Sequence, residues 1–135
     1  MGDKPFIDTN VIIYAFSKDE DRAETARSIL QRGGVISVQV LHEFVDAARR
    51  KLRFEWDSIR TALDELDGLL DPPLALTADL HRDAILIAER QRFRIYDSLI
   101  VSAAKRAGCR LVYSEDMQDG QIVDGVLIRN PFAAA

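Results

Sequence analysis

The fold of this chain is decided by one stretch near its N-terminus, FIDTNVIIYAF, residues 6–16. Phe6-Ile7 predicts a short apolar strand, Asp8-Thr9-Asn10 predicts a helix start, and residues 11–16 predict an apolar helix. A strand and a helix that are both largely apolar must both be buried, as in α/β proteins. The stretch therefore predicts an α/β domain with a carboxylate, Asp8, where the first strand meets the first helix.

The rest of the chain continues this alternation. Further strands are predicted at 35–37, 74–76, 111–113 and 126–128, and helices at 19–31, 39–53, 56–70, 79–92 and 97–107. Ser37 is placed to cap the helix that follows it. Strands separated by helices predict a mainly parallel sheet of four to five short strands, covered on both faces. No repeat or linker divides the sequence, so residues 1–135 are predicted to form a single domain.

Composition excludes several classes of function. The chain is 47% hydrophobic and 30% charged, with a formal net charge of −4, which argues against a broad basic surface for nucleic acid. Its apolar runs are far shorter than the roughly 20 residues that span a bilayer, and no signal segment is evident, so we expect a cytoplasmic protein without membrane contact. One cysteine and two histidines cannot supply a zinc site, which leaves oxygen as the ligand for any metal.

Four acids are expected to meet at the edge of the sheet where the strands have their carboxyl ends. Asp8 and Asp116 each follow a predicted strand, and Glu43 lies early in the helix that leaves strand 35–37. Asp97 begins a helix that must start at the same edge, because it leads into a strand that starts at the opposite one. Each acid also has a structural explanation: capping for Asp8 and Asp97, a turn for Asp116, and solvent exposure for Glu43, which lies opposite the apolar stripe of its helix.

The apolar character of the helix that begins at Asp97 favours a functional explanation. A carboxylate in such surroundings loses hydration, and clustered carboxylates repel one another unless a cation compensates them. Hard oxygen ligands favour Mg²⁺ or Mn²⁺, which keep coordination positions for water and phosphate oxygens. The pattern therefore predicts a metal site that acts on a phosphate-containing substrate.

Four ordered segments span nearly the whole chain: FIDTNVIIYA (6–15), VLHEF (40–44), YDSLIVSAA (96–104) and LVYSEDM (111–117). Together they carry a resemblance to PIN domains, and more closely to the VapC-type toxins of bacterial and archaeal toxin–antitoxin pairs. It implies a three-layer α/β/α sandwich and a metal-dependent endoribonuclease. It also implies that one or two divalent ions are bound by an acidic quartet, with Asp8 and Asp97 as direct ligands and with Glu43 and Asp116 holding a second ion or a metal-bound water.

The same resemblance implies further residues and partners. Thr9, Asn10 and Ser114 match polar positions beside the quartet, and Asp119 is a candidate outer ligand. A VapC-type toxin implies a homodimer and a cognate VapB-type antitoxin that blocks the site. Residues 11–31 and 49–70 are the candidate contact surfaces.

Two basic runs are candidates for contact with RNA. They are represented by Arg49 and Arg50 in one run and by Arg90, Arg92 and Arg94 in the other, which leads directly to Asp97. Solvated helix ends would show the same pattern, because basic residues are favoured near helix C-termini.

Three alternatives remain open. A haloacid-dehalogenase-like phosphatase needs a second aspartate two residues after the first, where this chain has Asn10. A receiver-like signalling domain needs paired early acids and a lysine after a late strand, and no lysine follows Tyr113. A PIN-fold ribonuclease of RNA processing or decay would share the whole pattern with a toxin.

Overall fold

A four-stranded sheet forms the centre of the computed structural model, which describes residues 4–133. The strand order is β1-β2-β4-β3, in which β1, β2 and β4 run parallel and β3 is antiparallel to β4. The strands are β1 (Phe6–Ile7), β2 (Leu111–Tyr113), β3 (Ile122–Val123) and β4 (Val126–Arg129). The predicted α/β class with a mainly parallel sheet is confirmed.

The predicted strands at 35–37 and 74–76 are reduced to single parallel bridges. Val35 pairs with Phe6, and Ser37 pairs with Leu74, so the pairing continues beyond β1. Ser37 also caps the next helix, which turns the chain out of the sheet at once. The tight approach of this segment to β1 requires Gly34, where a Cβ would lie 2.7 Å from Ile7 Cδ1.

The antiparallel strand β3 was not predicted from the sequence. It forms a hairpin with β4 through Asp124 and Gly125, whose φ angles are 49° and 84°. An Asp-Gly pair between apolar residues is a strong hairpin signal, because both central residues of the favoured tight turn need positive φ. The sequence did carry this signal, although the predicted pattern of parallel strands did not use it.

Helices surround the sheet close to their predicted positions. They are α1 (Thr9–Ala15), α2 (Glu20–Arg32), α3 (Val38–Arg50), α4 (Trp56–Leu69), α5 (Ala78–Gln91) and α6 (Ile95–Arg106). Ser37 accepts a hydrogen bond from the Val40 N–H, as predicted. Most bounds differ by one residue. The larger differences are that α3 ends at Arg50 instead of about Arg53, and that α6 begins at Ile95, so Asp97 lies in its first turn and does not cap it.

The core explains where the carboxylates must lie. Phe6, Ile7, Phe44, Ile100 and Ile128 are among the largest fully buried side chains, so the sheet, α3 and α6 share one core. Helix α6 is buried continuously from residue 98 to residue 104, which leaves its first turn at the edge of the core. None of the helices in residues 4–133 is long and apolar enough to cross a membrane.

Candidate functional site

Asp8 is the most buried of the four predicted acids, with 4% of its surface exposed. It is the N-cap of α1, where Oδ1 accepts a hydrogen bond from the Thr9 N–H at 2.7 Å, and Oδ2 accepts one from Ser114 Oγ at 2.7 Å. Burial raises the pKa of Asp8 to about 7, although these two hydrogen bonds oppose the shift and the nearby Asp116 and Glu43 add to it. A carboxylate in this environment strongly favours a proton or a cation.

Asn10 connects Asp8 to the loop after β2. Its Nδ2 donates to Asp116 Oδ2 at 3.0 Å and lies 3.5 Å from Asp8 Oδ2, while its Oδ1 accepts from the Glu115 N–H at 3.1 Å. The Asp116 N–H donates to Ser114 Oγ at 3.2 Å. Asn10 and Ser114 therefore fix the loop that carries the exposed carboxylate of Asp116.

Glu43 is half-buried, so the solvent-exposed face that its periodicity favours is not what the structure shows. Thr9 Oγ1 donates to Glu43 Oε1 at 2.6 Å, and Gln39 Nε2 donates to Glu43 Oε2 at 3.2 Å. Gln39, one helical turn earlier, is itself buried. Periodicity missed this because the face opposite the apolar stripe of α3 is covered by polar groups of α1 and α6 rather than by water.

Asp97 is half-buried in the first turn of α6. Burial raises its pKa; the neighbouring Arg94 opposes the shift, whereas Asp116 and Glu43 add to it. Asp8 and Asp97 thus each interact electrostatically with both Glu43 and Asp116. The four acids therefore lie within electrostatic range of one another, as expected from the shared carboxyl ends of the parallel strands, and we call Asp8, Glu43, Asp97 and Asp116 the rim acids.

The rim acids offer carboxylate oxygens, which are the ligand type that a hard divalent ion prefers. Among the ion pairs of residues 4–133, none includes a rim acid, so no lysine or arginine neutralises them directly. The same residues contain no group of three or more His, Cys, Asp or Glu side chains that could hold a metal ion between them, so the rim acids do not form a ready-made metal cage. Mg²⁺ does not need such a cage, because it usually binds one or two carboxylates and keeps water and phosphate in its other positions.

A cleft of about 770 Å³ lies beside the rim acids, and two of them line it, whereas Asp8 and Asp97 are not among its lining residues. Glu43 and Asp116 lie on its wall together with Thr9 and Asn10. Its lining also includes aromatic and basic side chains from α1, from the C-terminal end of α3 and from the start of α6. They are Tyr14, Arg50, Lys51, Arg94 and Tyr96. A cleft that joins acidic metal donors to basic side chains can receive a phosphate-bearing chain.

The structure separates the five candidate arginines. Arg94 and Arg50 line the cleft, although Arg50 is also held by Asp46 at 2.6 and 2.9 Å. The other three have different surroundings. Arg49 lies over the Trp56 ring at 4.9 Å, Arg90 donates to Asp124 at 3.0 Å, and Arg92 is the exposed C-cap of α5 with a φ of 58°.

Asp119 is engaged by the C-terminal segment. Its Oδ1 accepts from the Asn130 N–H at 2.9 Å and lies 3.6 Å from Arg129 Nε. As an outer ligand it would have to exchange these contacts, so that role stays a prediction.

A second polar network beside the cleft was not predicted from the sequence. Glu115 accepts hydrogen bonds from Tyr14 Oη at 2.9 Å and from the Arg22 guanidinium. Arg22 also lies over the rings of Tyr14 and Phe132, at 4.9 and 5.5 Å. The network links α1 and α2 to the loop of Asp116, and no short-range spacing could reveal it because its members are far apart in the chain.

Comparison with known proteins agrees with this geometry. The family profile described as PIN domain matches residues 6–118. Against functionally curated proteins, the sequence has no significant match.

Solved structures similar to the chain include three from bacteria. A toxin–antitoxin complex from Klebsiella pneumoniae has a TM-score of 0.74 and 15% identity, covering 97% of this chain and 100% of that one. VapC20 of Mycobacterium tuberculosis is described as a toxin that cleaves the sarcin–ricin loop. It has a TM-score of 0.64 and 18% identity, covering 84% of this chain and 90% of that one. VapBC2 of Rickettsia felis, bound to a promoter DNA fragment, has a TM-score of 0.66 and 16% identity, covering 93% of this chain and 96% of that one. At these identities the likeness concerns the fold, and together with the family profile it shows that this chain belongs to the PIN domain family.

Proposed function

We propose that this chain is a metal-dependent endoribonuclease that hydrolyses RNA phosphodiester bonds. The observation that carries the proposal is the lack of a basic partner for the rim acids among the described ion pairs. One of these acids, Asp8, is buried, and burial raises its pKa to about 7. Leaving such a group uncompensated costs stability, so a bound cation is the natural explanation. Membership of the PIN family supports nuclease chemistry for this cation.

The chain itself supplies the positioning. Asp8 and Asp97 would hold the ion directly, with Glu43 and Asp116 holding a second ion or its water. The Thr9 N–H and Ser114 Oγ fix Asp8, and Asn10 fixes Asp116. A bound Mg²⁺ or Mn²⁺ would lower the pKa of the attacking water and stabilise charge on the leaving oxygen.

Attraction of RNA would depend on the basic wall of the cleft. Arg94, Arg50 and Lys51 line it and can contact phosphates on either side of the scissile bond. Arg49, Arg90 and Arg92 stay weaker candidates, because the first two are engaged with other groups and Arg92 does not line the cleft.

We further propose that the chain acts in the cytoplasm as the toxin of a VapBC-type pair. Two of the similar structures are toxin–antitoxin assemblies by their descriptions, which supports an antitoxin partner. A groove of about 420 Å³ between α1, α2 and α4 contains Phe16, Leu30 and Leu66, within the surfaces expected to contact an antitoxin. The exposed Ile85 and Leu86 on α5 supply apolar surface for a homodimer.

The family match gives no support to a phosphatase or a receiver domain. A PIN-fold ribonuclease of RNA processing or decay remains the second candidate, because it would use the same rim acids. A stable complex with the product of an adjacent short gene, and loss of cleavage in that complex, would favour the toxin.

The test is cleavage of single-stranded and structured RNAs by the purified chain with Mg²⁺, Mn²⁺ or a chelator. We expect cleavage with metal, none with chelator, and none with Asp97→Asn. The matched control is Asp64→Asn, which changes an exposed acid on α4 and should leave cleavage intact. Cleavage that survives the chelator or Asp97→Asn would refute the proposed mechanism.

A further inference from the structure

Gln39 is a buried polar side chain whose position only the tertiary structure explains. It lies in the first turn of α3 and is 7% exposed. Its Nε2 donates to Glu43 Oε2 at 3.2 Å and to the backbone carbonyl of Tyr96 at 3.3 Å. Both partners are acceptors, so the amide nitrogen, and not the amide oxygen, must face them.

The two bonds join two parts of the site. Tyr96 immediately precedes Asp97 in the first turn of α6, so one bond fixes the backbone beside a rim acid and the other fixes the carboxylate of a second one. Among the hydrogen bonds of residues 4–133, the bond from Gln39 to Tyr96 is the one that joins α3 to α6. This amide therefore connects the carboxylate of Glu43 to the backbone beside Asp97.

Glu43 is oriented from two sides. Thr9 Oγ1 donates to one carboxylate oxygen and Gln39 to the other, and each oxygen keeps a lone pair for a cation. Gln39 does not itself belong to the described residues that line the cleft. It can influence the reaction only through the groups that it holds.

We propose that Gln39 is a positioning residue of the metal site, which holds Glu43 and the first turn of α6 in the arrangement that lets Glu43 and Asp97 serve the same site. The proposal rests on the proposed function, since it requires that the rim acids bind a divalent ion. Residues that orient metal ligands through hydrogen bonds typically account for 10–100-fold in metal affinity. Removing the Gln39 amide should weaken metal binding by about that factor, without removing a ligand.

The test uses Gln39→Met, which keeps an unbranched side chain of similar length but lacks the donor. Calorimetric titration of the full chain with Mn²⁺, in the absence of RNA, gives the dissociation constant directly. We expect it to rise about 10–100-fold. In cleavage assays the Mn²⁺ concentration for half-maximal rate should rise in parallel, while the rate at saturating Mn²⁺ and the KM for RNA change only a few-fold.

Two further variants distinguish positioning from general stability. Ser102→Ala removes another buried polar group, whose hydroxyl contacts Asp83 and the Leu80 carbonyl, and should leave the Mn²⁺ dissociation constant unchanged. In a Glu43→Gln background, Gln39→Met should have a clearly smaller effect than in the wild type, because most of its influence passes through the Glu43 carboxylate. Gln39→Asn keeps an amide that is too short to reach both acceptors, and serves if the Met variant does not fold.

The outcomes separate the two proposals. A wild-type chain that binds no Mn²⁺ and cleaves no RNA overturns the proposed function, and the role of Gln39 with it. A wild-type chain that binds Mn²⁺ and cleaves RNA, beside a Gln39→Met chain with unchanged Mn²⁺ affinity, overturns the role of Gln39 alone. Failure of both Gln39 variants to fold also overturns it, because the residue would then support the fold rather than the site.

Discussion

In the described part of the chain, carboxylates gather at two places that are neutralised in opposite ways. The rim acids have no ion-pair partner there, and burial raises the pKa of Asp8. Between α5, α6 and the β3–β4 hairpin, Lys105 lies 3.2 Å from Asp83 and 2.8 Å from Asp124, and Arg90 donates to Asp124. We call this second group the seam acids, Asp83 and Asp124.

The difference distinguishes carboxylates that stabilise the fold from carboxylates that are available to a ligand. Hydrogen bonds from Lys105 and Arg90 lower the pKa of Asp124, so its negative charge is stable in the folded protein. The charge of Asp8 is opposed by burial and by neighbouring acids, so the folded protein holds it at a cost. A compensated cluster joins secondary structure elements, whereas an uncompensated one is suited to a cation that comes from outside.

The largest expected effect is on catalysis. Asp8→Asn should lower RNA cleavage about 1,000-fold or more, equal to about 4 kcal/mol of transition-state stabilisation, because it removes a proposed metal ligand. Asp83→Asn, the seam counterpart, should change cleavage less than about twofold. Single-turnover rates at saturating Mg²⁺ measure both, and equal losses would erase the functional distinction between the clusters.

The two clusters should give stability the opposite pH dependence. The folded pKa of Asp8, about 7, exceeds its ordinary value of 3.8, so the folded chain keeps a proton that the unfolded chain has lost. The free energy of unfolding of the metal-free protein should therefore fall as the pH rises from about 4 to about 7. At pH 8, Asp8→Asn should be more stable than the wild type by on the order of 4 kcal/mol.

For Asp124 the sign is reversed. Because its folded pKa is lowered, its contribution is present above the ordinary value and is lost as the pH falls through the lowered one. Asp124→Asn should therefore lack part of the acid destabilisation of the wild type. Urea unfolding between pH 3 and pH 8 measures both variants, and the same sign for both would contradict the comparison.

Added metal should stabilise the wild type but not the rim variant. At a free Mn²⁺ concentration of 100 times its dissociation constant, binding to the folded state adds about 2.7 kcal/mol to the free energy of unfolding. Thermal unfolding with and without Mn²⁺ should show this gain in the wild type and in Asp83→Asn, and little of it in Asp8→Asn. A gain in all three would place the ion away from the rim acids.

Removing Lys105, which pairs with both seam acids, should lower the free energy of unfolding without changing catalysis. Lys105→Met leaves Asp83 and Asp124 partly buried with less compensation, and should cost about 1–2 kcal/mol of the free energy of unfolding. RNA cleavage at a temperature where the variant is fully folded should stay at the wild-type rate. A catalytic defect in the folded variant would mean that the seam also serves the reaction.

The smallest effect concerns Arg94, whose charge opposes the rise in the pKa of Asp97. Arg94→Gln should weaken RNA binding a few-fold and reduce the slope of log K against log salt by about 0.7, the contribution of one phosphate contact to a single strand. Arg92→Gln is the matched control, since Arg92 lies outside the cleft lining. Fluorescence titration of a catalytically inactive chain from 50 to 200 mM salt compares the two, and an equal slope change would remove Arg94 from the RNA path.

Much of this architecture could be predicted because it depends on local signals. The apolar strand and helix of residues 6–16, the cap at Ser37 and the buried helix after Asp97 are each encoded within a few residues. The hairpin at Asp124-Gly125 had a local signal too. The segments at 35–37 and 74–76 were harder, because whether an apolar triplet forms a strand or a single bridge depends on how soon the next helix begins.

By itself, the sequence predicted that four acids lie just after strands or in the first turns of helices, and that a metal ion would be bound by oxygen ligands. Strand direction then brings those acids to one edge, since parallel strands end together. Only the tertiary structure decided that Glu43 faces α1, that Gln39 is buried behind it, and that Arg94 faces the cleft while Arg90 does not. Helical periodicity describes one helix alone, whereas the surroundings of each face are set by elements far away in the chain.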